Sequence, residues 1–340
     1  MLPCQEQNKS FFDQLQNAEG LDLRDTRGLR HELRVVLLGV TLAILSNRDG
    51  NLSSIHRFMV NHNKRILESI NYPISPSISR SQLPNVLGIV CLKVFEGILF
   101  ANFGVVLSPA ERQWFALDGK ELKGSIESGN TRGEVIVQAV THQNRVVQSQ
   151  DFYSGMKESE ILTVRNILKD NNLERQKISM DALHCNPCSL ESINESGGIY
   201  LVGLKDNQKE LLTECIDVIR FSKPIFTFTQ QETVKPKHGR TEIREYSVYD
   251  ISEDVKAERW VNCKINTLIK VKRDIVEVKT QKKSTEISHH ISNQSDGYLE
   301  LCHAVRGHWS VEVVNHIRDV TFSEDDLTSK KKTYLVQWLV

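Results

Sequence analysis

Two aspartates in this sequence each follow directly after an apolar run. In WFALDGKELKG (114–124) the run ends at Asp118, and in KISMDALHC (177–185) it ends at Asp181. Short apolar runs of this kind are consistent with buried strands. If the two strands lie side by side and parallel, their ends bring the carboxylates together, and repulsion between the like charges raises one pKa. Mg²⁺ would offset that repulsion, because it usually binds one or two carboxylates together with water and phosphate oxygens.

Each aspartate also has an ordinary structural interpretation. Asp118 could open a turn together with Gly119, and Asp181 could cap a helix. Taken singly, these structural roles are favoured for both residues. The case for a functional site therefore depends on a third acid elsewhere in the chain.

A polar stripe on a late helix supplies that acid. At 100° per residue, two histidines, two acids and an amide fall within about one third of the helix circumference. Such side chains are costly to bury unpaired, and a solvated face more often carries lysine and glutamate. The stripe therefore favours a functional site over a plain solvent-exposed face. It consists of His308, Glu312, Asn315, His316 and Asp319.

The elements that must position these residues follow from the hydrophobic spacing. Residues 11–105 repeat apolar side chains at helical intervals. Three strands follow, the last two joined as a hairpin around Gln143-Asn144, and then helices and strands alternate. This order indicates a mixed α/β sheet with helices on its faces. The predicted strands are 113–118, 135–142, 145–153, 177–183 and 198–205, and the predicted helices are 158–170, 188–196 and 207–221.

The segment from 222 to 292 has a different character. It alternates polar and apolar residues without a convincing helix, and we interpret it as a β-rich insertion. After it the chain returns to a helix, predicted over 297–320, which carries the polar stripe. The predicted strands of the insertion are FTFTQ (226–230), EIREYSVYD (242–250), WVNCKINTLIKVKR (260–273) and IVEVKTQKK (275–283).

Composition limits the function classes. The formal net charge is zero, so any surface for nucleic acid must be local. The longest apolar run, residues 35–45, is too short to span a membrane, and the first residues lack the pattern of a secretion signal. Seven cysteines form no disulfide-like framework, which predicts a cytosolic protein with reduced thiols. Because the CNPC at 185–188 has no second pair at zinc-site spacing, ordinary cysteines are favoured over a zinc site.

Short polar blocks follow one another along the chain. They are DGKELKGS (118–125), KESEI (157–161), DALHC (181–185), LKDNQ (204–208), HGRTEIRE (238–245), RGHWSVE (306–312) and RDVTFSEDD (318–326). With the hairpin, this series resembles the DDE transposases of bacterial insertion sequences. The resemblance is closest to the H-repeat-associated branch of the insertion-sequence-4 superfamily. The block DTRGLRHELRVVLLGVTLAIL (25–45) resembles the helical transposase-associated domain of that branch.

The resemblance implies an RNase H-like catalytic core that the β-rich insertion interrupts and the last helix completes. It also implies a division into four parts. These are an N-terminal helical transposase-associated domain (1–105), the first part of the core (106–222), the insertion (223–292) and a C-terminal part with the catalytic helix (293–340).

The resemblance further implies that Asp118, Asp181 and Glu312 form a catalytic acidic triad that binds two Mg²⁺ or Mn²⁺ ions. Two such ions activate water or a 3′-hydroxyl for attack on a phosphodiester and stabilise the leaving oxygen. Polar residues nearby would contact the scissile phosphate or flanking DNA, although for the two residues of the insertion a plain polar hairpin tip is the alternative. The candidate DNA contacts are Lys120, Lys123, Lys205, Asn207, Gln208, His238, Arg240, Arg306, His308 and His316.

The activity implied by the resemblance is DNA cleavage and strand transfer at the ends of an insertion sequence. The partners would be double-stranded DNA, at the terminal inverted repeats and at the target, and a second copy of the chain, with no membrane partner. The expected location is the bacterial cytoplasm, at the nucleoid. The alternative is a nicking-only or catalytically silent DNA-binding protein descended from a transposase.

The chain departs from the family pattern at supporting positions. Val313 follows the glutamate where the branch usually has asparagine, and Ser159 replaces another usual asparagine. The step from Glu312 to the RDV motif is also one residue shorter than usual. The wider superfamily has an arginine four residues before its glutamate and a lysine seven residues after it, where this chain has His308 and Asp319. These departures mark either a sub-branch of the family or a copy that is losing activity, and they concern the supporting residues more than the triad.

Overall fold

The computed structural model describes residues 10–25, 27, 29–46, 51–104, 112–126, 128–129, 131–154, 157–234, 239–255, 257–322 and 325. The chain divides into two units. The helical unit comprises Met1–Val106, Lys120–Ile136 and Val313–Val340, and the sheet unit comprises Leu107–Gly119 and Val137–Glu312. The four-part division implied by the resemblance stays a prediction.

Helices fill the first part of the helical unit, as the spacing predicted. The first begins at a capping box in which Ser10 and Asp13 each accept a hydrogen bond from the other's backbone N–H, both at 3.2 Å. The second is apolar on all sides, which is typical of a central helix, and Leu37 and Val40 are fully buried. No helix in the described ranges has the length and apolar character needed to cross a membrane. The helices are α1 (Phe11–Asn17), α2 (Leu33–Leu45), α3 (Leu52–Ser69), α4 (Leu83–Leu87) and α5 (Leu92–Phe103).

The described residues form one nine-stranded sheet in the order β3-β2-β1-β4-β5-β9-β8-β7-β6. Strands β1, β4 and β5 are parallel, whereas β5, β9, β8, β7 and β6 pair antiparallel. The strands are β1 (Trp114–Glu121), β2 (Glu134–Thr141), β3 (Val147–Ser154), β4 (Lys177–Met180), β5 (Ile199–Leu204), β6 (Phe226–Val234), β7 (Arg240–Asp250), β8 (Thr267–Glu277) and β9 (Lys283–Ser292).

The parallel centre of the sheet is buried because helices connect its strands. Residues such as Phe115, Ile178 and Val202 are fully buried, which is the pattern expected where both faces of a parallel sheet are covered. The mixed α/β architecture and the hairpin of β2 and β3 are thereby confirmed. The helices of this region are α6 (Lys157–Asp170), α7 (Pro187–Glu195), α8 (Lys209–Phe221), α9 (Tyr298–Gly307) and α10 (Ser310–Thr321). The single helix predicted over 297–320 was wrong, because a turn at residues 308–309 divides it. His308 caps the end of α9, so the predicted polar stripe does not lie on one helix.

The segment after α8 is β-rich, as predicted, but its strands extend the same sheet because β9 pairs with β5. Two details of the prediction were wrong. Residues 260–263, predicted as strand, lie in a 3-10 turn that buries Trp260 and ends at Lys264 with a φ of 53°. The strand predicted over 275–283 is interrupted: residues 275–277 end β8, residue 283 begins β9, and the turn between them contains Gln281 with a φ of 54°.

A buried lysine forms ion pairs inside the helical unit. Lys120 is only 9% exposed, and its Nζ lies 2.7 Å from Oδ1 of Asp319 and 3.5 Å from Oδ1 of Asp325. Lys123 is 71% exposed, and its Nζ lies 2.9 Å from Oδ2 of Asp325. The contact between Lys120 and Asp319 therefore joins β1 to the last turn of α10.

We expect Lys120→Met to lower the free energy of unfolding by about 1–3 kcal/mol, because it leaves two partly buried carboxylates without that cation. Urea denaturation at pH 7 measures the loss. Lys123→Met is the matched control, and its loss should be much smaller because exposed ion pairs contribute little. Equal losses in the two variants would contradict the assignment of Lys120 as the stabilising partner.

Candidate functional site

The pairing of β1 with β4 places the two aspartates side by side. The parallel register runs from Trp114 opposite Lys177 to Leu117 opposite Met180, so that Asp118 and Asp181 are the next residues on their chains. The expectation that parallel strands bring these residues together is confirmed.

The expectation that Asp118 ends its strand was wrong. Strand β1 continues to Glu121, and the chain stays extended beyond it because the N–H of Leu122 donates to the carbonyl of Glu134 at 2.8 Å. By contrast, β4 does end before Asp181, whose Oδ1 accepts a hydrogen bond of 2.9 Å from the N–H of Leu183. Asp181 therefore caps the following 3-10 turn, and it does so while lying beside Asp118.

Burial and repulsion act together on Asp118. Burial, with the negative charges of Asp181 and Glu160 adding to it, raises the pKa of the Asp118 carboxyl to about 7. The backbone N–H of Gly119 and the charge of His184 act in the opposite direction without cancelling the effect. The carboxyl of Asp118 thus lies where negative charge is already concentrated, a setting that a cation would relieve.

Glu160 on α6 is a residue that the sequence interpretation missed. Its carboxylate packs against Gly119, where an added Cβ would lie 2.7 Å from Cδ of Glu160. The hydroxyl of Tyr153 donates to Oε2 at 2.6 Å, and Nε2 of His184 lies 3.2 Å from Oε1. The glycine directly after Asp118 was the available signal, because it leaves room for a side chain from another element.

The three acids of the predicted triad line one cavity of the sheet unit. The cavity has a volume of about 880 Å³, and its lining includes Asp118, Asp181 and Glu312. Glu312 lies in the first turn of α10 and is exposed. Within the described residues, no three His, Cys, Asp or Glu side chains form a ready coordination group. The acids therefore share the cavity without a preformed coordination sphere.

The donor chemistry of the cavity fits a divalent cation. Hard cations such as Mg²⁺ bind carboxylate oxygens and keep several waters, so they need few protein ligands. Asp118 and Asp181 would supply the first oxygens, and Glu312 would complete the set from α10. The raised pKa of Asp118 is the feature that binding of a cation would reverse.

Two histidines flank this site as neutral groups joined through a serine. Ser179 on β4 has its Oγ 2.7 Å from Nε2 of His142 and 3.0 Å from Nδ1 of His308. Burial lowers the pKa of His308 to about 4 even though the charge of Asp181 opposes the shift, and burial lowers the pKa of His142 to about 3. Both rings are therefore uncharged at neutral pH, and Ser179 fixes the orientation of His308 inside the cavity.

The other residues predicted to contact DNA lie in different parts of the structure. Lys205, Arg240, Arg306 and His308 line the cavity. Lys120, Lys123 and His316 belong to the helical unit, where Lys120 is buried beside Asp319, and His238 lies outside the described residues. None of these placements tests DNA contact itself.

Asn207 and Gln208 contact the protein backbone. The side-chain amide of Asn207 donates to the carbonyl of Ala182 at 2.6 Å, and that of Gln208 donates to the carbonyl of Cys185 at 2.8 Å. These two residues brace the segment that follows Asp181. The described contacts thus indicate that Asn207 and Gln208 support the backbone after Asp181. Their contact with DNA stays a prediction.

The cavity also contains arginines that the sequence interpretation did not select. Arg244 on β7 and Arg273 on β8 line it together with Glu242. Arg306 adds a guanidinium that stacks over the ring of Trp309, 4.4 Å from its centroid. The acidic triad and several basic groups thus belong to one cavity of the sheet unit.

Comparison with known proteins yields relatives along most of the chain. “Putative transposase YncI” of Escherichia coli O157:H7 is 25% identical over 315 residues, which cover 89% of this chain and 78% of the relative. “H repeat-associated putative transposase YhhI” of Escherichia coli K12 is 24% identical over 316 residues, which cover 90% of this chain and 81% of the relative. The chain is a relative of the H-repeat-associated transposases. No protein-family profile matches it.

A shorter protein of the same branch gives the same result. “H repeat-associated putative transposase YbfD” of Escherichia coli K12 is 23% identical over 242 residues, covering 69% of this chain and 92% of the relative. The resemblance to the H-repeat-associated branch is thereby confirmed. A transposase role is supported by these names, and the chemistry of that role is a separate question.

The raised pKa of Asp118 predicts that the stability of this protein changes with pH. A carboxyl whose folded pKa is about 7, against about 3.9 in the unfolded chain, destabilises the folded state progressively as pH rises from about 4 to 7. Asp118→Asn removes the ionisable group. Its gain in free energy of unfolding should therefore be about 2 kcal/mol larger at pH 8 than at pH 5.5.

Chemical denaturation in EDTA measures this gain at the two pH values. Asp206→Asn, at an exposed aspartate of the same unit, is the control and should show a smaller pH-dependent difference. An Asp118→Asn gain that does not change between pH 5.5 and 8 would show that the carboxyl is not under this repulsion.

Proposed function

We propose that this protein is a divalent-metal-dependent DDE transposase that cleaves DNA at the ends of its insertion sequence and joins those ends to a target. The observation that carries the proposal is the placement of Asp118 and Asp181 at the adjacent ends of a parallel strand pairing, with Glu312 lining the same cavity. The names of the relatives support the transposase role. The parallel β1-β4-β5 centre with its flanking helices supports an RNase H-like core.

The three carboxylates would hold two Mg²⁺ or Mn²⁺ ions. When bound, such ions supply activation of a water or 3′-hydroxyl oxygen and stabilisation of the leaving oxygen of a phosphodiester. The work of the protein in this scheme is positional and electrostatic, because it makes no covalent bond to DNA.

The residues around the triad have distinct tasks in this proposal. His308 is neutral and oriented by Ser179, so that it can offer a hydrogen bond to a phosphate oxygen without adding a charge. Glu160 keeps Asp118 in a region of high negative potential and is itself fixed by Tyr153. Arg306 and Lys205, which line the cavity, would offset the charge of the incoming DNA backbone.

The proposed partners follow from the activity. They are the terminal inverted repeats and the target DNA, with two copies of the chain acting on paired ends, and the proposed location is the bacterial cytoplasm at the nucleoid. A nicking-only or catalytically silent descendant would keep DNA binding and lose part or all of the chemistry. The products of one assay separate these cases.

We expect Asp118→Asn, Asp181→Asn and Glu312→Gln each to reduce cleavage by about 100-fold or more, because each removes a carboxylate that positions charge in the transition state. DNA binding should change little. The measurement is cleavage, with Mg²⁺ or Mn²⁺, of a DNA fragment that carries the sequences flanking this reading frame, with binding followed separately in EDTA. The exposed Glu210→Gln serves as the control.

The products define the outcome. Cleavage with strand transfer supports the transposase, nicking alone supports the reduced enzyme, and binding without cleavage in the unaltered protein supports the silent descendant. A triad variant that retains nearly full cleavage would remove that residue from the proposed site.

A further inference from the structure

A buried glutamate on β7 holds three arginines together. Glu242 is 1% exposed, and its Oε1 lies 2.6 Å from Nε of Arg240 and 2.8 Å from Nη2 of Arg273. Its Oε2 contacts Nη2 of Arg244. Burial alone would raise the pKa of Glu242, but the hydrogen bond from Arg273 and the charges of the arginines hold it below its usual value. Glu242 is therefore an anion at neutral pH, and it contacts three guanidinium groups.

Strand geometry puts this cluster on one face of the sheet. Every second residue of a strand points to the same face of the sheet. This spacing places Arg240, Glu242 and Arg244 of β7 on one face. The antiparallel register places Arg273 of β8 directly opposite Arg244, and directly opposed residues share a face. That face lines the cavity that also contains Asp118, since all four residues of the cluster are among its lining.

The opposite face of the same strands carries a self-contained charge pairing. Lys272, next to Arg273 on β8, lies 3.3 Å from Glu245 and 2.8 Å from Asp274. None of these three residues lines the cavity. Two adjacent basic residues, Lys272 and Arg273, therefore sit in different surroundings on opposite faces of one strand.

The cavity face carries an excess of positive charge at this end. Arg240 and Arg273 remain 37% and 29% exposed despite their contact with Glu242. Arg273 also contacts Glu286, and Arg244 and Arg306 share Glu232. In this cluster four arginines are paired with three glutamates. A cluster of repelling cations fixed by a single buried anion is suited to a further anionic ligand.

We propose that Arg240, Arg244 and Arg273, fixed by Glu242, form a cradle for the phosphodiester backbone of the DNA strand that enters the acidic site. This inference rests on the proposed function for the identity of the DNA. Guanidinium groups bind phosphate through paired hydrogen bonds, and their fixed orientation lowers the entropy lost on binding. The acidic end of the cavity would hold the reacting phosphate, and the cradle would hold neighbouring phosphates of the same strand.

The test compares two substitutions that remove the same charge from adjacent positions. Arg273→Gln removes a cradle residue, and Lys272→Gln removes a positive charge from the opposite face. DNA binding is measured in EDTA over a range of salt concentrations, so that catalysis and bound metal do not contribute. We expect Arg273→Gln to weaken binding about 5- to 10-fold and to reduce the slope of log K against log salt concentration by about one. Lys272→Gln should leave both nearly unchanged.

Several outcomes would overturn the cradle. Equal effects of the two substitutions would mean that only the overall charge matters, and an unchanged slope in Arg273→Gln would remove the phosphate contact. Binding of inorganic phosphate alone at micromolar concentration would identify a free-anion pocket instead of a backbone site. If Arg273→Gln fails to fold, as judged by circular dichroism, Arg240→Gln takes its place at the more exposed edge of the cluster.

The same experiment separates the cradle from the catalytic proposal. The unaltered protein could bind DNA with a salt dependence that Arg273→Gln reduces, and yet fail to cleave that DNA with Mg²⁺ or Mn²⁺. That result would leave the cradle intact and overturn the proposed chemistry. A wild-type protein that does not bind DNA overturns both.

Discussion

The parallel pairing of β1 with β4 is the constraint on which the candidate site depends. Its register ends at Leu117 and Met180, so two aspartates must lie next to each other in a partly dehydrated setting. Repulsion of this kind opposes folding, and the fully buried apolar residues that precede both aspartates in the strands compensate for it. The divalent cations proposed above would bring the positive charge that relieves this repulsion.

The rest of the sheet unit distributes charge around that point in a consistent way. Groups nearest the aspartates are either anionic, as Glu160 is, or uncharged, as His308 is at neutral pH. Cationic groups line other parts of the same cavity, and Glu242 pairs with three of them.

The sequence predicted those features that depend on chain-local pattern. Apolar runs located β1 and β4. Helical spacing predicted helix at Glu312 but missed the break at residues 308–309 that separates α9 from α10. Features that depend on contact between distant elements were not predictable in this way. Glu160 lies on a helix whose polar residues resemble a solvent-exposed face. Arg273 lies in a strand where basic residues occur on both faces, so alternation alone does not distinguish it from Lys272. Asn207 lies in a 3-10 turn that follows β5, and its position in the sequence does not tell which group its amide contacts.

The departure at position 319 is better understood from the structure than from the sequence. An aspartate where the wider superfamily has lysine suggests a damaged copy if it is considered alone. In the helical unit, however, the charge at that position is matched by a lysine from β1, since Nζ of Lys120 lies 2.7 Å from Oδ1 of Asp319. Decay would leave a partly buried charge without a partner, which is strongly unfavourable. The pair joins β1 to α10 inside the helical unit. The aspartate at position 319 therefore has a matching lysine within this chain, and the ion pair gives the departure from the superfamily pattern a structural explanation.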